Sequence, residues 1–94
     1  MFTLHIEHTV KDYDEWKRMF DSDPLDRKGS GVTSFRVMRP VGDSGSVMVD
    51  LEFDSRDAAE RMRTALEALW KGPAAAMTIN PRATLTETVE TGTL

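Results

Sequence analysis

The sequence predicts an α+β fold in which a four-stranded antiparallel sheet carries two helices on one face. Four segments alternate apolar and polar residues with a period of two, which is typical of half-buried strands. Two further segments repeat apolar residues at helical spacing. Their order along the chain is β-α-β-β-α-β, which is the split βαβ, or ferredoxin-like, arrangement.

The first strand is predicted over residues 2–8, FTLHIEH, where every second residue is apolar. The period then changes in KDYDEWKRMFDSD. Asp12 is a favourable N-cap residue, and Glu15 completes a capping-box-like pair with it. A helix is therefore predicted from about residue 12 to 21. Its core face carries Tyr13, Trp16, Met19 and Phe20.

The second and third strands are predicted at 32–39, VTSFRVMR, and 46–53, SVMVDLEF. The stretch SDPLDRKGSG before them predicts a loop, because its proline, glycines and charges show no period. PVGDSG between them has the proline and glycines of a hairpin connection. We therefore expect these two strands to pair antiparallel.

The second helix is predicted in SRDAAERMRTALEALWKG, with Asp54 or Ser55 as N-cap and Gly72 as C-cap. PAAAM adds one further turn in this interpretation, and TINPR is expected to be a loop. The last strand is predicted over residues 83–90, ATLTETVE. The apolar stripe of the helix consists of Ala58, Met62, Ala65, Leu66 and Leu69.

Length, charge and composition exclude several classes of protein. The 94 residues predict one domain, 1–94, and the net charge of −4 without a basic stripe argues against nucleic-acid binding. The chain has no cysteine, which excludes disulfides and thiolate metal sites. No segment has the basic start of a signal peptide or the ~20 apolar residues of a membrane span. We expect a cytoplasmic protein that does not bind membranes.

One sheet face has no helix left to cover it, and the strand alternation gives that face a mixed polar character. It is open to three interpretations: a solvent-facing sheet, a homodimer in which two such faces pack together, or a different partner protein. A chain of this length buries only ~60–65% of its unfolded surface, which favours the homodimer. Besides threonines of the last strand, the face should carry His5, Glu7, Arg36, Met38, Met48, Asp50 and Glu52.

Two stretches, VKDYDEWKRMFD and GVTSFRVMRPVGDSGSVMVDLEFDSRDAAERM, resemble small bacterial proteins of the dimeric α+β barrel superfamily, which contains the antibiotic biosynthesis monooxygenase (ABM) domains. The matching features are V-K-D-Y-D-x-W-K, the G-V that opens strand two, the arginine-ended hairpin and D-L-E-F-D-S-x-x-A-A. The resemblance extends over about residues 4–90 and implies a homodimer with facing sheets and a cavity between sheet and helices. Its members include cofactor-free oxygenases of aromatic polyketides, haem-degrading enzymes, cyclases and isomerases.

Five polar residues of the uncovered face are candidate catalytic groups. Glu7 can orient the imidazole of His5 or raise its pKa, as a general base requires. Asp50 and Glu52 form a like-charge pair, in which burial would raise one pKa unless Arg36 neutralises it. On an enzyme hypothesis His5 is the base and Arg36 holds a developing oxyanion. On the alternative, the five form an ion-pair cluster across the dimer interface.

Four further residues are candidates for binding a substrate. Trp16 belongs to the core face of helix one, and Trp70 lies off the apolar stripe of helix two, where it flanks a cavity or packs at the helix–loop junction. Met38 and Met48 would give an apolar pocket an adaptable lining.

The sequence predicts no metal and no organic cofactor. His5 and His8 are three residues apart on one strand, so they point to opposite faces and cannot bind one metal together. The haem-degrading members of the superfamily use a histidine on helix two, and residues 55–80 contain none. The expected function is an oxygenase-like or cyclase-like protein for a small apolar, aromatic metabolite. The alternative is a non-catalytic dimer that binds a metabolite or acts as an accessory subunit.

Overall fold

The computed structural model describes residues 1–94 and has the predicted order of elements. The elements are β1 Phe2–Thr9, α1 Tyr13–Asp21, β2 Val32–Met38, β3 Ser46–Phe53, α2 Arg56–Lys71 and β4 Ile79–Glu87. One antiparallel sheet contains all four strands in the order β2-β3-β1-β4. The α+β, ferredoxin-like class predicted from the alternation is therefore confirmed.

Both helices begin at side-chain caps that the sequence indicates. The carboxylate of Asp12 accepts a hydrogen bond from the backbone N–H of Glu15 at 3.2 Å. The hydroxyl of Ser55 accepts one from the N–H of Ala58 at 3.2 Å, so Ser55 caps α2. Gly72 follows the last residue of α2 as its C-cap. These bonds satisfy backbone donors that have no partner inside a helix. Neither helix is long and apolar enough to span a membrane.

The hydrophobic core lies between the two helices and one face of the sheet. Alternate residues of the strands point to it, so the period-two pattern becomes a continuous apolar layer. Removal of this apolar surface from water is the main driving force for the fold. The strands contribute Leu4, Ile6, Val47, Val49, Leu51 and Phe53, and the helices contribute Trp16, Ala58, Ala59 and Met62.

The last strand differs from its predicted bounds. It runs from Ile79 to Glu87, whereas the sequence predicts residues 83–90 and a loop at TINPR. It ends at Glu87 because this residue pairs with Phe2, where its neighbour β1 begins. Residues 72–77 form consecutive turns rather than one more helical turn.

A β-bulge explains why the start of β4 has the sequence of a loop. The pairing of β1 with β4 shifts register between Glu7 and Thr9, so Asn80 and Pro81 together lie opposite His8. Asn80 has φ +50°, a left-handed conformation that asparagine tolerates better than most residues. Proline is accepted at a bulge on an edge strand because it removes no ladder hydrogen bond there.

Substitution of Gly31, directly before β2, should destabilise the fold. Gly31 has φ +98°, and a Cβ there would lie 3.1 Å from Cβ of Ala58. We expect Gly31→Ala to lower the free energy of unfolding by about 1–3 kcal/mol, since backbone strain and crowding add. Gly92→Ala is the control, because a Cβ there meets nothing within 4 Å. Equal urea midpoints for the two variants would contradict this account.

Candidate functional site

The sheet face without helices carries three rows of side chains, each running β2-β3-β1-β4. All seven residues predicted for this face are found on it. The middle row is Arg36, Asp50, His5 and Thr84. The row on one side is Ser34, Glu52, Thr3 and Thr86. The row on the other is Met38, Met48, Glu7 and Arg82.

Four of the five predicted polar groups form one connected cluster. His5 Nδ1 lies 2.6 Å from Asp50 Oδ1, and His5 Nε2 lies 2.9 Å from Glu7 Oε1. Arg36 Nη2 donates to Asp50 Oδ2 at 2.8 Å. Since both imidazole nitrogens face carboxylate oxygens, both must donate, which requires the protonated ring. Glu52 stays outside the cluster and accepts a hydrogen bond from Thr3 Oγ1 at 2.7 Å.

The pKa values of His5 and Asp50 move apart, as in an ion pair. The hydrogen bond to Asp50 raises the pKa of His5 above 6.5; partial burial opposes this, and Glu7 adds to the rise. Burial of Asp50, which is 8% exposed, favours its neutral form, but the hydrogen bonds from His5 and Arg36 outweigh burial and lower its pKa. Of the two outcomes considered for the like-charge pair Asp50 and Glu52, neutralisation by Arg36 is the one that the contacts of Asp50 show, and His5 adds to it.

The His5 ion pair should stabilise the fold at acidic pH and lose this contribution as the pH rises. A histidine with a raised pKa stabilises the fold fully below pH 6.5, and this contribution is lost as the pH rises through the raised value. Compared with His5→Gln, the wild type should lose on the order of 1 kcal/mol between about pH 5.5 and about pH 9. Urea denaturation at fixed protein concentration measures this. The same pH dependence in both proteins would contradict it.

A second candidate site lies on the opposite side of the sheet, in a cavity of about 60 Å³ between the sheet, the two helices and the loop 22–31. Eleven of its 15 lining residues are hydrophobic, so its contents must be largely apolar. Of the predicted binding residues, Trp16 and Trp70 line this cavity, whereas Met38 and Met48 lie on the uncovered face. The cavity is bounded mainly by Trp16, Phe20, Met62, Leu66, Leu69 and Trp70.

Trp70 belongs to the inward face of α2. It follows Met62 and Leu66 at intervals of four residues, and all three line the cavity. The interpretation that Trp70 lies off the apolar stripe is therefore wrong. Three residues of the predicted stripe, Met62, Leu66 and Leu69, line the cavity, and Trp70 continues the stripe by one more turn, so it flanks the cavity as one of the two alternatives had it.

An aromatic cluster along α1 forms one wall of the cavity. The ring of Trp16 stacks on Phe20 with centroids 5.2 Å apart, and the ring of His8 lies 5.3 Å from Trp16. Trp16 is only 3% exposed, so its ring position is fixed by packing. Trp16, Phe20 and His8 all line the cavity, so this wall is aromatic.

The loop 22–31 supplies the charged residues at the cavity. The guanidinium of Arg27 lies 4.0 Å from the ring centroid of Phe20 and donates to the Phe20 carbonyl at 2.7 Å. Asp23 pairs with Arg27, with 3.4 Å between Oδ1 and Nε. The two charged residues of the lining, Asp23 and Arg27, therefore neutralise each other.

His8 is the cavity residue that the sequence analysis did not select. It is 6% exposed, and its Nδ1 is the one buried side-chain polar atom of the protein without a hydrogen-bond partner. Burial lowers its pKa below 6.5, and the backbone of Thr9 offsets this only in part. Leu4, Ile6 and His8 are alternate residues of β1, so their side chains point to the same sheet face. This alternation in the sequence indicates that His8 faces the helices.

No family model and no curated protein matches the chain. Solved structures do. SnoaB, a cofactor-independent oxygenase from Streptomyces nogalater, is 17% identical with a TM-score of 0.76, covering 96% of this chain and 94% of SnoaB. This chain has the same fold. The resemblance to the ABM-like proteins is thus confirmed at the level of the fold.

Two further structures widen the range of proteins with this fold. A dimeric ferredoxin-like protein from an uncultured marine organism is 17% identical with a TM-score of 0.68, covering 97% of each chain. A variant of MhuD, which holds two manganese protoporphyrin IX molecules per active site, is 17% identical with a TM-score of 0.72, covering 99% of each chain. At such identities the likeness establishes architecture, and a dimeric neighbour is among the matches.

The cavity does not fit a haem. Its volume of about 60 Å³ is far below the ~300–1,000 Å³ of typical ligand pockets, and haem is a large ligand. Its α2 wall consists of Met62, Leu66, Leu69 and Trp70 and so lacks the histidine that the haem-degrading proteins carry on this helix. No group of three or more histidine, aspartate or glutamate side chains is arranged to hold a metal ion.

Proposed function

We propose that this protein is an ABM-like homodimer that binds a small apolar, aromatic metabolite in the cavity and acts on it without metal or organic cofactor, as an oxygenase or cyclase. The observation that carries the proposal is the apolar cavity with its aromatic wall, in a chain with the fold of SnoaB. An apolar pocket with few polar groups is the usual form of a small-molecule site.

The uncovered sheet face supports pairing with a second copy. Its three rows contain three groups that can be positive and three carboxylates, so the face is neutral when the histidine is protonated. The cations at its edges are Arg36 on β2 and Arg82 on β4, and the acids lie on the two central strands. A neutral face of mixed sign is compatible with a copy of itself, whereas a nucleic acid would require a positive one.

The cluster of His5, Glu7, Arg36 and Asp50 is proposed to be part of this dimer interface. The general-base role considered for His5 requires a free lone pair on one ring nitrogen, and both nitrogens face carboxylates. Arg36 is the most exposed member and its one outward cation, with 70% of its side chain exposed against 48% for Glu7. It is therefore the member available to a carboxylate of the partner.

The cavity is proposed as the place of binding and reaction. It lies on the helix side of the sheet, so pairing through the other face leaves it free to admit a ligand. A ligand larger than the cavity of about 60 Å³ requires the long side chains of the wall to move, and the thioethers of Met19 and Met62 are suited to this. Trp16 and Trp70 are both close enough to report binding by fluorescence.

Oxygen uptake and product formation with a panel of phenols, naphthols and anthrones test the proposal. The matched variant is Leu66→Trp, which fills the cavity from α2 and leaves the uncovered face unchanged. We expect the variant to lose at least about tenfold in rate on any substrate that the wild type turns over. Ala68→Trp, at an exposed position of the same helix, is the control. Equal activity of Leu66→Trp and the wild type would show that the reaction does not take place in the cavity.

A non-catalytic, metabolite-binding dimer is the second candidate. It is favoured by the lining of the cavity, where the only ion pair, Asp23 with Arg27, joins neighbours of one loop and leaves neither group free as an acid or base. On this candidate, ligands quench the tryptophan fluorescence and no member of the panel is converted.

A further inference from the structure

The wall of the cavity contains one polar side chain, His8, with a buried ring nitrogen that has no hydrogen-bond partner. His8 lies near the end of β1, opposite the bulge of β4. The centroid of its ring is 5.3 Å from that of Trp16. His8 is 6% exposed, and its Nδ1 has no partner. A buried polar atom without a partner costs stability, so its presence in the wall requires an explanation.

The surroundings of His8 keep its imidazole neutral. Burial lowers its pKa, and the only opposing contribution comes from the backbone of Thr9. The charged groups in the cavity lining, Asp23 and Arg27, pair with each other at 3.4 Å. A neutral imidazole has one donor nitrogen and one acceptor nitrogen. A half-turn of the ring about χ2 exchanges the positions of its nitrogens and carbons, so either nitrogen can meet a ligand.

We propose that His8 is the polar recognition group of the cavity, and that the ligand is a small neutral aromatic molecule whose hydroxyl group hydrogen-bonds to the imidazole. This inference rests on the proposed function, which places a ligand in the cavity. Beyond that function, the ligand is specified to carry a hydroxyl group, and His8 is the residue that contacts it.

The chemistry of the cavity selects this class of ligand. A hydroxyl both donates and accepts, so it satisfies either tautomer of His8. A ring suits the wall because two aromatic residues, Trp16 and Phe20, line the cavity beside each other. A charged ligand is disfavoured because an apolar lining with an internally neutralised ion pair offers it no counter-ion.

Phenol and toluene are the probes, since they differ only by hydroxyl against methyl. Binding is measured by quenching of tryptophan fluorescence, which both Trp16 and Trp70 report from the cavity wall. The variant is His8→Phe, which keeps an aromatic ring at the site and removes its hydrogen bonds. We expect wild-type affinity for toluene in this variant, and affinity for phenol reduced about tenfold, the effect of losing one hydrogen bond in an apolar site.

A second measurement keeps the test valid if His8→Phe folds poorly. The protein has two histidines, so the ring nitrogen resonances of His8 can be followed in the wild type by long-range ¹⁵N–¹H spectroscopy. Phenol should shift a His8 nitrogen and leave those of His5 unchanged, because His5 lies on the other sheet face. Toluene should shift neither nitrogen toward a hydrogen-bonded value.

The outcomes separate this inference from the proposed function. If the wild type binds both probes and His8→Phe binds phenol with unchanged affinity, or phenol leaves the His8 nitrogens unshifted, His8 is not the recognition group and the cavity remains a binding site. If the wild type binds neither probe, the proposed aromatic binding fails and the role of His8 fails with it.

Discussion

Replacement of Asp50 by alanine should convert the proposed dimer to a monomer and lower the free energy of unfolding by about 3 kcal/mol. Asp50 is 8% exposed and holds both His5, at 2.6 Å, and Arg36, at 2.8 Å. Its removal leaves two cationic groups side by side in the middle row of the uncovered face. Repulsion between them and loss of the hydrogen bonds act in the same direction.

The control for Asp50→Ala is Asp21→Ala. Asp21 pairs with Lys17 at 2.6 Å, but its carboxylate is on the exposed side of α1. Such a pair contributes about 0–1 kcal/mol, so the control should remain dimeric with nearly unchanged stability. Sedimentation velocity and urea denaturation at one protein concentration compare the two variants. A dimeric Asp50→Ala protein with wild-type stability would show that the cluster holds neither the sheet face nor the interface together.

Replacement of Trp16 by alanine should have the largest effect on the fold itself. Its ring contacts Tyr13, Phe20 and His8 at centroid distances between 5.2 and 5.9 Å, and it is 3% exposed. Truncation of a buried tryptophan costs about 3–5 kcal/mol, which is a large part of the ~5–15 kcal/mol of a typical domain. We expect a steep drop in the urea midpoint and exposure of the cavity to solvent.

Two further variants test whether the loss of stability in Trp16→Ala comes from lost packing or would follow any substitution in the chain. Trp16→Phe keeps an aromatic ring and should cost less than half as much as Trp16→Ala. Val41→Ala removes a side chain that is fully exposed in the β2–β3 connection, and should change stability by less than about 0.5 kcal/mol. A cost below about 1 kcal/mol for Trp16→Ala would mean that α1 does not pack on the sheet as described.

The elements with strong periodicity could be predicted from the sequence. β3 alternates without interruption, and its bounds, Ser46–Phe53, are those predicted. The same parity assigned His5, Arg36 and Asp50 to one face, and the register brings them into contact. Local hydrogen bonding explains the success at the helix starts, because Asp12 and an N–H three residues later are close in the chain.

The features that could not be predicted depend on contacts between distant segments. The bulge in β4 needs Asn80 and Pro81, which in isolation indicate a loop, to lie opposite one residue of β1. The ion pair that lowers the pKa of Asp50 depends on the register of three strands. The loop 22–31 lines one side of the cavity, and Arg27 is one of its lining residues. Because the sequence of this loop has no period, the sequence did not indicate that Arg27 would lie there.

The mass of the protein in solution tests the central claim, that the uncovered sheet face is completed by a second copy. One chain has a mass of 10.6 kDa. Sedimentation equilibrium between about 1 and about 100 µM should give twice this mass, falling toward one chain only at the lowest concentrations or for Asp50→Ala. A single species with the mass of one chain at the highest concentration would contradict the account.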